Sequence, residues 1–598
     1  MPPHGNMRGM KKEKLDVKSL KKLFIYAKKY VPALVIGIIF AIGASITSII
    51  GPNKIKELVS NIYDLDKFTP IAIALAIIYG VGILLGYMQS LITSIVTQKL
   101  SRRLRTDVNS KLNRLPLSYF DSHARGAILS IVTNDVDTIG QSLSQSLASI
   151  FSSIVLFFGV VIMMFYTSWI LALVTIGASF FGFAGIIFIS GFSQRHFNRR
   201  QQALAEMNAD IEEIYTNHQL VVTYNAKDEE IKRFSSINDK LYNANWKSQF
   251  LGGLMMPMMN FSGNLAYSLI FIVGISIFIA SGQNDFNILG TLISFTIYAR
   301  LFTQPLQSIS QNITSMQQAS AASRRVFAFF SEEEVIDEKD KASLTSETLG
   351  NVEFKNVKFS YVPEKEIIHD FNASIKAGQK IAIVGPTGAG KTTIVNLLMR
   401  FYDVLSGEIL IDGINTSSIK REDVRNKFDM ILQDTWLFDG TIRENLVFNN
   451  PNVSDEKVYK AIEAVGLKHY VESLPEGIDT KISGTMSLSE GQKQQFTIAR
   501  AIIKDAPMLI LDEATSNVDT RTEVVIQNAM DSLTKGRTSF VIAHRLSTIK
   551  NADLILVMNN GDIIEMGKHN ELLMKNGFYA ELYNSQFAVF DELEPHTR

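Results

Sequence analysis

The sequence predicts a polytopic all-α transmembrane domain of six helices with long cytoplasmic extensions, followed by an α/β P-loop nucleotide-binding domain. Three observations predict it. Apolar runs long enough to cross a bilayer lie almost wholly before residue 310. From residue 351 onward, short apolar strands alternate with helical segments instead. Within that second part, residues 385–393 read G-P-T-G-A-G-K-T-T, between an apolar strand at 380–384 and a helix at 391–400.

Composition sets the outer bounds. A chain of 598 residues holds several domains. Lys+Arg and Asp+Glu both number 59, so net charge gives no sign of nucleic acid, and none is expected as a partner. The absence of cysteine excludes disulfides, thiolate zinc sites and thiolate catalysis. Residues 1–29 are studded with lysine and lack a small-residue cleavage pattern, so no cleavable signal peptide is expected.

The expected organisation is a tail with an amphipathic elbow helix (1–30), a transmembrane domain (31–330), a linker (331–350), the α/β P-loop domain (351–590) and a C-terminal tail (591–598). In the elbow, Leu20, Leu23, Phe24 and Ala27 recur at helical spacing between lysines. That suits a helix lying on a membrane surface, or simply one leading into the first span. Six spans are placed near 31–50, 70–96, 143–166, 169–192, 250–280 and 289–309, each long enough for the roughly 20 residues a bilayer needs. Lys11, Lys12, Lys14, Lys21, Lys22, Lys28 and Lys29 precede the first. Arg102, Arg103 and Arg105 follow the second, and Arg195, Arg199 and Arg200 follow the fourth. Positive charge marks these ends as cytoplasmic, so the protein is expected in the plasma membrane with its N-terminus and α/β domain inside. The polar connections 101–141 and 193–248 then read as helical extensions of the spans. Turns near 115–120 and 215–224 are natural docking points for a cytoplasmic domain.

The spans contain no Asp or Glu, and Arg300 is their one ionisable residue. It faces a polar cavity or partner, or snorkels from the inner end of a tilted helix. Met255, Met256, Met258 and Met259 surround Pro257, which can kink the fifth span. Such methionines offer a soft surface to differently shaped guests, or pack against lipid and helices.

In the phosphate loop, Gly385, Gly388 and Gly390, with Pro386, Thr387 and Ala389 between them, let backbone N–H groups wrap an anion at a helix N-terminus. Lys391 reaches the β- and γ-phosphates, the Thr392 hydroxyl holds Mg²⁺, and Thr393 completes the motif. The strand 506–512 ends in Asp512 and is followed by Glu513: one carboxylate for Mg²⁺ through water, a second for polarising the attacking water.

Residues 488–492 read L-S-E-G-Q and open a helix. The segment is similar to the L-S-G-G-Q signature of ATP-binding cassette (ABC) proteins, and the family's other motifs follow in order. Tyr361 in F-S-Y resembles the residue that stacks on adenine, and Gln433 in I-L-Q-D the glutamine that contacts Mg²⁺ and water. The segment 516–519, ending in Asp519, resembles the D-loop, and His544 in A-H-R-L the switch histidine on the γ-phosphate. The resemblance spans essentially the whole chain and is to half-size ABC exporters of the multidrug type.

It implies ATP and Mg²⁺ as cofactors, Glu513, His544 and Gln433 as catalytic residues, and nucleotide contacts from Ser489, Gly491, Gln492 and Asp519. It also implies a second half-transporter, a lipid bilayer and a small-molecule or lipid cargo as partners. In this family each signature faces nucleotide held by the opposite phosphate loop. Glu490 replaces the first signature glycine and adds negative charge near an anion, while the rest of the catalytic set looks intact. That mismatch favours a heterodimer over a homodimer, with the defects gathered into one degenerate ATP site. A lipid or lipid-linked flippase is the nearest alternative, and an ATP-gated channel or regulatory subunit the alternative of another class.

Overall fold

The computed structural model describes residues 16–280, 287–343, 348–432, 435–448, 450, 452–482, 488–512, 519–543 and 546–586. The chain divides into two units, Met1–Asn113 with Ala124–Glu332 and Arg114–His123 with Glu333–Arg598.

The first unit is helical because lipid offers no hydrogen bonds to an open backbone. Helix α1 (Val17–Tyr26) is capped by Asp16 and buries Leu20 and Leu23 while its lysines stay exposed. Then come α2 (Val31–Ser60), α3 (Leu65–Leu112), the short α5 (Arg125–Ser130), and the long pair α6 (Val136–Thr167) and α7 (Trp169–Thr216); α4 (Leu117–Ser122), between α3 and α5 in sequence, belongs to the second unit. The unit ends with α8 (His218–Thr223), α9 (Lys227–Gly253), α10 (Met255–Ala280) and α11 (Asn287–Phe330). Helices α3 and α7 run for 48 residues each, so the polar connections do continue the spans as helix.

Among the described residues, five helical stretches are long and apolar enough to cross a membrane. The sixth expected span lies in α11, whose Arg300 and Gln304 make it more polar than the rest. Pro257 falls in the first turn of α10, which is separated from α9 only by Leu254, itself at helical φ -70° and ψ -19° and donating to the Phe250 carbonyl at 3.1 Å. Proline there leaves the Gly253 carbonyl without an intrahelical donor, which accounts for the irregularity at Leu254.

Small residues let the helices approach one another. A Cβ on Gly182 of α7 would lie 2.3 Å from the Ser262 Cβ of α10, whose hydroxyl donates to the Ala178 carbonyl at 2.9 Å. Val160, Met164, Leu171, Ile270, Phe295, Tyr298 and Phe302 form the apolar core of this unit. Below it, Arg325 of α11 donates two hydrogen bonds to the buried Asp135 carboxylate, at 2.6 and 2.9 Å.

The second unit contains two larger sheets. Strands β1 (Val352–Val362), β2 (Lys365–Ile375), β4 (Ser406–Ile411) and β5 (Ile414–Asn415) form an antiparallel sheet in the order β2-β1-β4-β5. Strands β3 (Lys380–Val384), β6 (Phe428–Ile431), β9 (Met508–Asp512), β10 (Thr538–Ile542), β11 (Leu554–Asn559) and β12 (Asp562–Gly567) form the main sheet, ordered β12-β11-β3-β10-β9-β6. It is parallel except for the β11–β12 hairpin. The two-residue strands β7 (Gly440–Thr441) and β8 (Lys481–Ile482) pair beside a mostly helical lobe with its own apolar core.

The segment read as a linker is strapped to this unit through Glu338, whose side chain is 9% exposed. Arg400, itself buried and in the left-handed region at φ 50°, donates to Glu338 at 2.7 Å. It also donates to Asp403 at 3.0 Å and to the carbonyls of Thr416 and Ile419 at 2.9 and 2.7 Å. Burial raises the Glu338 pKa, but the Arg421 N–H, Lys341, Arg400 and Arg421 together hold it below its ordinary value. The stability this carboxylate contributes is therefore present above its unfolded pKa and lost as pH falls through the depressed folded value.

Arg400→Ala is expected to lower the thermal midpoint sharply, since stripping one partner from a buried ion pair costs about 3–5 kcal/mol. Arg400→Lys should not rescue it, because an ammonium lacks the planar fork that serves these acceptors. An unchanged midpoint in the purified Arg400→Ala protein would show that the strap does not hold the cassette.

Candidate functional site

Strand β3 runs through the middle of the main sheet with Ile381–Val384 buried, so the phosphate loop leaves the sheet at its centre. A Cβ on Gly385 would sit 2.2 Å from the Met558 carbonyl oxygen, so the loop can hug the end of β11 only with glycine there. Gly390 is left-handed at φ 98° and caps α12 (Lys391–Leu398), which buries Ile394, Val395, Leu397 and Leu398 beneath it. Gly561, in the β11–β12 turn, donates to the Ala389 carbonyl at 3.1 Å and pins the loop from the other side. The first turn of α12 thus opens outward with its N–H groups and the positive end of the helix dipole.

The Lys391 ammonium folds back over the loop, donating to the Gly385 carbonyl at 2.7 Å and the Pro386 carbonyl at 3.1 Å. Burial pushes its pKa down, while the negative charge of Asp512 pulls it up. Sheet register explains that neighbour: Asp512 pairs with Ile542, and Ile542 with Ile383, two residues before the loop. Thr392 is exposed beside Lys391 and Thr393 is buried. A hydroxyl and a carboxylate beside an anion cradle are hard oxygen donors of the kind Mg²⁺ takes.

Tyr361, on β1, is 40% exposed. Its hydroxyl donates to Thr393 Oγ1 at 3.4 Å and accepts from Asn396 Nδ2 at 3.2 Å, which ties the ring to α12. Phe359 and Tyr402 stand edge-on, each 4.9 Å from the Tyr361 ring centroid. The Tyr402 hydroxyl donates to the Asp121 carboxylate of α4. Burial, and then that hydrogen bond, push the Tyr402 pKa far up, so it stays a neutral donor.

The structure therefore brings together residues 385–393, Asp512 and Tyr361. It sets Ser489, Gly491 and Gln492 apart, on a helix whose apolar face belongs to the other core. Ser489 caps that helix: its Oγ accepts from the Gln492 N–H at 3.2 Å, and the Gln492 Oε1 accepts from the Ser489 N–H at 3.0 Å. Glu490 is the first helical residue and pairs with Lys493 at 2.6 Å. Asp519 caps the helix Thr520–Thr534, accepting from the Thr522 N–H at 3.0 Å, which lowers its pKa. Gln433, Glu513, His544 and the segment 516–518 lie outside the described residues.

Sequence reasoning missed Tyr402, Asp121, Asn396 and the β11–β12 turn. Only Gly561 carried a signal, as a glycine in an N-G-D turn between apolar strands.

Comparison with known proteins follows the same division of the chain. A family profile described as the ABC transporter transmembrane region matches residues 34–306, and one described as ABC transporter matches residues 368–516. A fatty acid ABC transporter ATP-binding/permease protein of Mycobacterium bovis is 42% identical over 86% of this chain and 80% of that protein. An ATP-dependent lipid A-core flippase of Syntrophus aciditrophicus is 32% identical over 96% of this chain and 95% of that protein. A solved bacterial Atm1-family ABC exporter with ATP bound superposes with a TM-score of 0.69 at 27% identity, covering 94% of this chain and 98% of that one.

Lys391→Ala should weaken ATP binding itself, because it removes the positive charge over the phosphate cradle. Tyr361→Ala should cost about 1–3 kcal/mol of nucleotide affinity if the ring stacks on adenine. Equilibrium binding of a fluorescent ATP analogue measures both. Unchanged affinity in Lys391→Ala would contradict the cradle.

Proposed function

Because this chain belongs to the ABC transporter family, with transmembrane region and cassette in one half-size polypeptide, we propose that it exports amphiphilic, lipid-like compounds as one half of a heterodimer. Exporters of this fold hydrolyse ATP and act as dimers in the membrane. The observation that carries the ATPase part is the meeting of a phosphate loop, Lys391 and Asp512 at the centre of one sheet. For the cargo, spans without Asp or Glu favour apolar and amphiphilic compounds. The names of the fatty acid and lipid A-core relatives favour lipids among these over the wider multidrug range.

On this reading the loop amides and Lys391 hold the β- and γ-phosphates, and Tyr361 stacks on adenine. Thr392, Asp512 and Gln433 would hold Mg²⁺, which would neutralise charge building on the transferred phosphoryl group. Glu513 takes the proton from water as the water oxygen bonds to the γ-phosphorus and the bond to the β–γ bridging oxygen breaks, leaving ADP and phosphate. His544 donates to the γ-phosphate. Ser489, Gly491 and Gln492 of one half face the nucleotide of the other, with Asp519 at the seam. The chain sits in the plasma membrane with cassette and N-terminus in the cytoplasm.

The heterodimer rests on Glu490. In a homodimer both sites would pair a complete catalytic set with a glutamate-bearing signature. In a mixed pair, this chain's phosphate loop meets an intact signature, and its own Glu490 faces a partner that lacks the equivalent of Glu513.

In the native complex, Glu513→Gln should keep ATP binding but cut turnover by about 10²-fold or more, the usual loss of a general base. Near wild-type hydrolysis would remove Glu513 from that role. Expressed alone, the chain should give weak ATPase activity. A stable dimer of this chain with brisk, cargo-stimulated turnover would refute the heterodimer.

A further inference from the structure

Helix α11 is buried along one side by Phe295, Tyr298, Ala299 and Phe302. On the other side its exposed residues recur at intervals of four and three: Arg300, Gln304, Gln307 and Gln311. Followed outward from Arg300, the same face carries Ile297, Ile293 and the exposed Leu289. One face of one helix therefore changes from apolar to cationic to amide-rich along its length.

Arg300 lies about 20 Å along the axis from Asn287, at 1.5 Å per residue, and so within a hydrocarbon layer about 30 Å thick. Its guanidinium makes no hydrogen bond or ion pair among the described residues, whereas Arg105, Arg233 and Arg325 pair with Asp137, Asp210 and Asp135. The spans of this chain hold no carboxylate that could serve it. A planar cation with five donors does not rest against lipid tails. Its neighbours on the same face, three glutamines, are equally unsuited to lipid. That face belongs on a polar path between the two halves of the transporter.

We propose that Arg300 is the anion-binding centre of this path and receives the carboxylate of a single-chain amphiphile. The apolar tail lies outward along Ile297, Ile293 and Leu289, and Gln304, Gln307 and Gln311 keep the inner approach wet. The fork of Arg300 fits a carboxylate through two parallel N–H bonds, which an alcohol headgroup cannot accept. This rests on the lipid-like cargo reading above and adds the headgroup to it.

The test uses the full complex in nanodiscs and reads the concentration of oleate, and of oleyl alcohol, that gives half-maximal ATPase stimulation. Arg300→Gln is expected to raise the oleate value about tenfold or more, as for a lost charge-assisted pair, and to leave the oleyl alcohol value within about twofold. Since the chain has no cysteine of its own, Arg300→Cys adds a chemical rescue. Coupling a cationic methanethiosulfonate there should restore the oleate response, and coupling an anionic one should not. If Arg300→Gln leaves the oleate response unchanged, or shifts both amphiphiles equally, the proposal is overturned while the cargo reading stands. If neither amphiphile stimulates the wild-type complex, the cargo reading fails and takes the proposal with it.

Discussion

Backbone hydrogen bonds that pair Ile383 with Ile542, and Ile542 with Asp512, hold the working edge of the cassette together. Because β3, β10 and β9 are parallel, their carboxyl ends finish on one side of the sheet. The phosphate loop leaves β3 there, Asp512 closes β9 there, and β10 ends two residues before His544. A slip of one residue in either ladder would turn Asp512 to the opposite face and take its charge away from Lys391. The strands resist such a slip through burial: Ile381, Ile383, Ile510, Phe540 and Ile542 share one apolar core with Ile394 and Leu398 of α12. The helix that presents Lys391 is therefore packed on the strands that position its neighbour.

Much of this was legible in the sequence, for a physical reason. Glycines at fixed offsets before Lys391, and an apolar run ending in Asp512, are requirements of backbone approach and charge, so the residue types betray the site. The two-part division was legible because lipid tolerates only long apolar helices. What could not be read is what tertiary packing decides. The polar character of residues 331–348 reads as a linker, yet the Glu338 side chain is only 9% exposed because Arg400 waits for it. Nothing in the sequence marks the pair, whose members stand 62 positions apart. Pro257 announced a distortion but not that it would be confined to Leu254, with the helix otherwise carrying on. Register in fully buried strands left no alternation to count.

The segment Arg114–His123 belongs with the cassette although it lies between helices of the other unit. Through Asp121 it holds the Tyr402 hydroxyl, and Tyr402 stands edge-on to Tyr361, whose own hydroxyl engages Thr393 and Asn396 on α12. A short chain of polar and aromatic contacts thus joins the phosphate-loop helix to α4. Edge-to-face rings tolerate little sideways movement without losing their electrostatic match. A ring that shifts to stack on a base would accordingly be felt at Tyr402 and at the carboxylate it holds.

Glu490 poses the opposite problem, since local stability and function pull apart there. As the first residue of its helix it lies at the positive end of the dipole, a place where a carboxylate stabilises the helix by about 0.3–1 kcal/mol. Lys493, one turn later, completes an ion pair of the ordinary helical spacing. For the isolated fold the substitution is favourable. In the proposed dimer, however, the same helix end faces a nucleotide held by the other half, and the γ-phosphate needs the same dipole and the same N–H groups. Two anions then compete for one positive end, and the covalently attached one is always present. Lys493 can draw the Glu490 charge aside and so reduce the repulsion, but it cannot supply the close backbone approach that a glycine allows. The cost therefore falls on catalysis at that site and leaves the folding of the chain untouched. That is the pattern expected of a motif whose nucleotide is there to be held rather than split.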